Sequence, residues 1–176
     1  MRIKKITCET RGQSIIELAL VLPVLVLLIV GMVEAVLICR TYLALLDSSY
    51  QGAHLGSQGL FRYDNNEIYT LVTQKLTEEG CNTSELVDVI ITRANLVGGK
   101  GIQDYQVVNM KGSGRESIFN PTIIGNRLRG TDPSGRIIIV EIVYDHILLF
   151  DYPFTEKLFP NPFPLVSYSI QYVQRQ

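Results

Sequence analysis

The chain has no tryptophan, only two histidines and only three cysteines among its 176 residues, and these shortages narrow the chemistry open to it. Cys8, Cys39 and Cys81 form no CxxC pair and have no zinc-like spacing, so they define neither a metal site nor a disulfide framework. A Cys39 to Cys81 bridge can be drawn, but a packed thiol at Cys39 and an ordinary loop thiol at Cys81 are the simpler expectation. His54 and His146 stand far apart, and each reads as a structural or solvated side chain rather than a ligand. The glycine-rich "GGKG" lacks the spacing and the following Ser or Thr of a phosphate-binding loop. Asp145 and His146 near Asp151 suggest a fragment of a hydrolase site, but no nucleophile motif accompanies them. Neither enzymatic activity nor a metal or cofactor is therefore expected.

Charge is also scarce, at 19% of residues against 47% hydrophobic ones. The formal net charge of -1 hides an asymmetry. Residues 1–12 hold Arg2, Lys4, Lys5 and Arg11 against Glu9 alone, so the rest of the chain keeps 12 of the 16 basic and 16 of the 17 acidic residues, a net charge of -4. A mildly acidic remainder without a basic cluster offers no footprint for nucleic acid.

What the chain does have is one long apolar run. Leu18 to Val33 carries no charge and would span about 24 Å as a helix, short for a bilayer. Extending the helix from Ile15 to Cys39 gives about 37 Å, enough for a hydrocarbon core of about 30 Å with Glu17 and Glu34 toward its edges and Arg40 beyond it. The basic leader places the N-terminus in the cytoplasm and the bulk of the chain outside. A cleaved secretory signal fits less well, because no small-x-small site follows the core, and a lipoprotein signal fits less well because Ile38 precedes Cys39. Within the run, Pro23 removes one helix hydrogen bond, and Gly31 with Ala35 forms a small-xxx-small pair that lets another helix approach.

Glu17 has two readings. At the interface, near a helix N-terminus, the helix dipole favours its charge. Were the chain cut after Gly12, however, Gln13 would supply a new α-amine one helical turn from the carboxylate, ready to pair with it within or between subunits.

Basic residues, a glycine, four further residues, a glutamate and an unbroken apolar helix resemble the type IV prepilin processing pattern. The wider stretch from Arg11 to Ser57 resembles the TadE-like family of tight-adherence (Flp-type) pilus systems. The similarity rests on Arg11-Gly12, Glu17, the "ALVLP" of Ala19 to Pro23, Gly31 to Glu34, and Gly52-Ala53. Leu18 departs from the pattern, since an aromatic often follows the glutamate. The resemblance implies a pseudopilin or minor pilin in the inner (cytoplasmic) membrane, with Gly12 and Gln13 flanking the cut of a prepilin peptidase and Glu17 guiding processing or docking. It further implies that the partners are the membrane, the peptidase, other pilins or pseudopilins and the assembly platform, and that the protein can be incorporated into a pilus.

The rest reads as an exported α+β domain. The helix is expected to continue through "RTYLALLDSSYQGAHLGS", with Tyr42 and Tyr50 near the membrane surface. A second helix is signalled by "DNNEIYTLVTQKLTEEG", capped at Asp64 or Asn65, stopped by Gly80, with Ile68, Leu71, Val72 and Leu76 on one face. "ELVDVIITRANL" and "IQDYQVVNM" read as strands joined at "VGGKG", followed by "GRIIIVEIVYDHILLF" and by "LVSYSIQYVQ", where Val166, Tyr168, Ile170 and Tyr172 alternate with more polar neighbours. Three or four strands with one covering helix make a mainly antiparallel layer. The glycine-rich stretch from Lys111 to Gly135 reads as mobile or as a contact surface. The Pro- and Phe-rich "DYPFTEKLFPNPFPL" cannot be a regular helix or central strand, and its rings are expected to fill the end of the core.

The expected organisation is thus a leader over 1–12, a transmembrane helix with its extension over 13–58, and an exported domain over 59–176. An unprocessed, signal-anchored envelope binding module stands as the alternative to a pseudopilin.

Overall fold

The computed structural model describes residues 11–58, 64–97, 101–127, 135–149 and 160–173. The basic leader up to residue 10 with Cys8, the centre of the "VGGKG" connection, residues 128–134 of the glycine-rich stretch, and Asp151 with most of the Pro- and Phe-rich segment lie outside the described residues. The chain divides into two compact units, Met1–Leu37 and Ile38–Gln176.

Helix α1 runs over Arg11–Ser57, so the helical extension beyond the apolar run is present, and Pro23 lies inside it. It ends where Ser57 Oγ donates to the His54 carbonyl at 2.8 Å and the Gln58 amide reaches Leu55 O. Helix α2, Asn65–Glu78, follows the sequence signals closely. Asp64 is the N-cap, and a capping box closes between its side chain and Glu67, whose carboxylate accepts from the Asp64 amide at 3.0 Å. At the other end Gly80 takes φ 79°, the Gly80 amide reaches Thr77 O and the Cys81 amide reaches Leu76 O at 2.8 Å. These two bonds satisfy carbonyls left over at the helix end, and the left-handed turn favours glycine.

The strands are β1 Leu86–Val97, β2 Gly101–Asn109, β3 Gly135–His146 and β4 Phe163–Val173, with helix α3 at Pro121–Arg127. They form one antiparallel sheet in the order β2-β1-β3-β4. The two strands flanking "VGGKG" pair as expected, with Val97 opposite Gly101. β3, the most apolar strand, is central, while Pro164 falls on the edge strand β4, where a missing amide costs least.

Alternation divides the core between the two faces of the sheet. On one face Val89, Ile91, Ile138, Val140, Ile142, Tyr144 and Leu165 meet Ile68, Val72 and Leu76 of α2. Each of these three α2 side chains contributes about 1.5–3 kcal/mol by leaving water. Leu71 is half-buried beside them. α2 is the expected covering helix, and the C-terminal part of α1 shares its face through Leu45 and Ala53. Close approach there requires glycine. A Cβ on Gly52 would lie 2.7 Å from Val72 Cγ2, and one on Gly56 would lie 2.3 Å from Ile138 Cδ1. Ser49 Oγ and Ser167 Oγ, 3.1 Å apart, share a buried hydrogen bond across this contact.

The second face corrects one expectation. The described part of the glycine-rich stretch is neither loose nor simply a contact surface. It carries Phe119 and Ile124 onto Ala94, Leu96, Ile137 and Ile139. The alternating set Val166, Tyr168, Ile170 and Tyr172 lies toward this side, where Tyr168 meets Phe119 edge-on at 4.8 Å between ring centroids while Tyr168 and Tyr172 stay exposed. Leu165, Ser167 and Val173, on the alternate register, are the buried residues of β4.

Candidate membrane and processing site

Gly12 and Gln13 lie at the N-terminal end of α1. One turn on, Glu17 is exposed, and so is the apolar surface around it. From Ile15 to Ile29 every large apolar side chain is at least 45% exposed. These residues are consecutive or nearly so, and therefore cover the whole circumference of the helix rather than one stripe. A helix that is apolar all round belongs inside a large core or in a bilayer. None of this apolar window is buried in the protein, and the segment from Ile15 to Ser57 is long and apolar enough to cross a membrane.

The small residues along α1 serve two different environments. Gly31 has nothing within 4 Å of the place where a Cβ would stand, and Ala35 is exposed, so this pair presents an open helix surface. Gly52, Ala53 and Gly56, in contrast, are buried against α2 and β3. Pro23 is exposed, and Glu34 is half-buried.

Comparison with protein-family models decides the relationship of this segment. Residues 12–54 match the family described as TadE-like protein. Comparison with curated proteins and with solved structures gives no match. The TadE-like segment therefore covers the apolar run of the first unit and continues into the helix that packs on the sheet of the second. It begins at Gly12 and includes Gln13, Glu17, Pro23, Gly31, Ala35 and the packed Gly52-Ala53 pair.

Outside the apolar run, the hydrogen-bonded ionisable groups help to build the fold. Arg40 donates to the Glu79 carbonyl at 3.2 Å, a favourable place for a cation at the C-terminal end of α2. Cys39, expected to be packed, is exposed on α1, whereas Cys81 lies in the loop after α2 as expected and is half-buried against the core; both are free thiols. Burial pushes the Cys81 thiol pKa up, so it is a poor nucleophile. His54 is exposed and stacks on Tyr50 at 6.2 Å, while His146 is half-buried at the end of β3. Among the described residues no three His, Cys, Asp or Glu side chains are grouped to hold a metal ion.

Two buried carboxylates were not anticipated. Asp88 accepts from the amides of Val89, Lys111 and Ser113 and from the Ser113 hydroxyl. Burial opposes its charge, but these four bonds prevail and hold its pKa below the usual range. Glu141, opposite Ile90 and Tyr168 at the centre of the sheet, accepts from the Ser117 hydroxyl and from the Ile118 amide at 3.0 Å. Here burial wins and its pKa is raised. Together the two carboxylates tie the stretch from Lys111 to Phe119 across the second face. The signal was in the sequence, as one carboxylate within "LVDVII" and one within "IIIVEIV", each in an otherwise apolar strand. A shallow groove of about 280 Å³ lined by Arg93, Ala94, Asn95, Asp104, Gln106 and Arg136 mixes both charges and brings together no nucleophile and base.

Proposed function

We propose that the chain is a pseudopilin or minor-pilin-like structural component of a tight-adherence (Flp-type) pilus system. The observation that carries the reading is the match of residues 12–54 to the TadE-like family, on a helix whose apolar surface is exposed all round. In this reading a prepilin peptidase removes residues 1–12, the helix over 13–58 anchors the protein once in the inner membrane, and residues 59–176 form the exported domain. Cleavage after Gly12 creates an amine at Gln13 one turn from Glu17, and that pair orients the subunit beside a neighbour. Pro23, Gly31 and Ala35 shape the surface that meets other pilins, pseudopilins or the assembly platform. The role is structural rather than catalytic.

N-terminal sequencing of protein extracted from membranes, with and without the prepilin peptidase, tests the proposal. A mature end at Gln13 that appears only with the peptidase is the expected result. An intact Met1 in peptidase-positive cells, together with indifference to Gly12→Ala, would instead identify an unprocessed, signal-anchored binding module.

A further inference from the structure

The second unit exposes its large apolar side chains unevenly. Among the described residues of that unit, the three most exposed are Leu149 at 65%, Leu43 at 62% and Ile147 at 57%. They come from two distant parts of the chain, yet they lie at one end of the unit. Leu43 is less than one turn from Arg40, which is bonded to the Glu79 carbonyl. Three residues on, the Asn82 amide donates to Tyr144 Oη at 3.0 Å, and Asn82 Nδ2 donates to Glu85 Oε1 at 3.2 Å. Glu85 in turn accepts the Asp145 amide at its carbonyl, at 2.9 Å, and the Ile147 amide at its carboxylate, at 3.4 Å. This is also the end at which the chain enters the unit, since Ile38 is its first residue and packs against the core beside Cys81.

We infer that Leu43, Ile147 and Leu149 form a second membrane contact, in which the domain rests its entry end on the bilayer surface from which α1 emerges. The inference depends on the reading of α1 as a membrane span. Given that span, chain continuity brings the entry end within a few residues of the lipid. Side chains of this size left in water forgo the gain of burial, which insertion among headgroups and upper acyl chains recovers in part. The charged groups near this end are of both signs, Arg40 and Lys111 against Glu79, Glu85 and Asp145, so the contact is apolar rather than an attraction to anionic lipid. A zwitterionic surface suffices.

The absence of tryptophan makes the test direct, because each introduced indole reports one position. The full chain is placed in phosphatidylcholine vesicles with or without brominated acyl chains, carrying Leu149→Trp, Leu28→Trp within the apolar run, or Gln103→Trp. Gln103 pairs with Asn95, nine residues along β1 from Leu86 and so about 30 Å from the entry end. Leu149→Trp is expected to emit at shorter wavelength and to lose most of its intensity to the brominated chains, as Leu28→Trp does, while Gln103→Trp is unaffected. Quenching at Leu149 no greater than at Gln103, with Leu28→Trp strongly quenched, would overturn this contact and leave the span intact. An unquenched Leu28→Trp would overturn both. A blue-shifted Leu149→Trp that brominated lipid does not quench would mean that protein covers the patch, which also overturns the inference. Ile147→Trp repeats the measurement should the first variant misfold.

Discussion

Replacing Gly56 with valine tests why α1 can lie on the sheet at all. A Cβ at this position would stand 2.3 Å from Ile138 Cδ1 and 2.9 Å from Ile68 Cδ1, whereas carbon atoms in contact prefer about 3.5–4.0 Å. Both isoleucines are fully buried, so neither can swing into solvent, and valine adds two further methyl groups to the same crowd. Overpacking of this kind costs about 1–3 kcal/mol. The gain from removing a helical glycine returns well under 1 kcal/mol, because valine is itself a modest helix former. The net loss should therefore be about 2 kcal/mol, which lowers a urea midpoint by roughly 1 M for an m value of about 2 kcal/mol/M. The assay is urea unfolding of the full chain in detergent micelles, followed by the near-ultraviolet circular dichroism of the tyrosines of the second unit. Gly31→Val is the internal control, since nothing lies within 4 Å of a Cβ there. A Gly56→Val midpoint equal to that of the wild type, or an equal drop for Gly31→Val, would refute the close-packing argument.

Much of the fold was legible because local signals and tertiary structure agree. The cap at Asp64, the stop at Gly80 and the face of Ile68, Val72 and Leu76 were read correctly because capping groups and helical spacing act within a few residues. The strands were found from their β-branched runs, and β3 is so apolar that only a central, doubly covered position suits it. Long-range arrangement was harder. Nothing within ten residues of Val166 announces that its alternating set would face Phe119 rather than the helices, because a single register step decides the face. The fixed stretch from Lys111 to Phe119 looked loose because its glycines, of which Gly112 and Gly114 take positive φ, are local, whereas the carboxylates that hold it stand on β1 and β3. Cys39 was misplaced for the same reason, since its exposure depends on which face of α1 meets the sheet.

The TadE-like match spans both uses of α1, since it begins in the first unit and runs well into the second. Its apolar N-terminal part leaves its large side chains exposed, while Gly52 and Ala53 fit the C-terminal part against α2 and the sheet. A substitution in this family segment can therefore fail in two separate ways. Changes at Glu17, Pro23, Gly31 or Ala35 are expected to spare the stability of the second unit and to alter processing or helix association. Changes at Gly52, or at Gly56 just beyond the segment, are expected to destabilise that unit while leaving the cleavage sequence intact.

The remaining predictions separate these effects. Gly12→Ala should abolish the Gln13 end in peptidase-positive membranes, read by N-terminal sequencing, without moving the urea midpoint. Tyr144→Phe removes the acceptor of the Asn82 amide and should cost about 1 kcal/mol by the same urea assay. Asp88→Asn should cost about 1–3 kcal/mol at neutral pH, because an amide cannot reproduce four bonds to a carboxylate. The pH dependence gives Asp88 and Glu141 opposite signatures. The depressed pKa of Asp88 adds stability that is present above the unfolded value near 3.9 and is lost as pH falls through the folded value, so the variant should lack that acid loss. For Glu141 the folded pKa is raised, so its contribution is complete below the unfolded value near 4.3 and declines as pH rises through the folded one. Glu141→Gln should therefore flatten stability on the alkaline side of about pH 4.3, where Asp88→Asn flattens it on the acid side of about pH 3.9. Urea midpoints collected from pH 3 to 7 distinguish the two, and a Glu141→Gln profile parallel to that of the wild type would refute the assignment of burial as the dominant influence on this carboxylate.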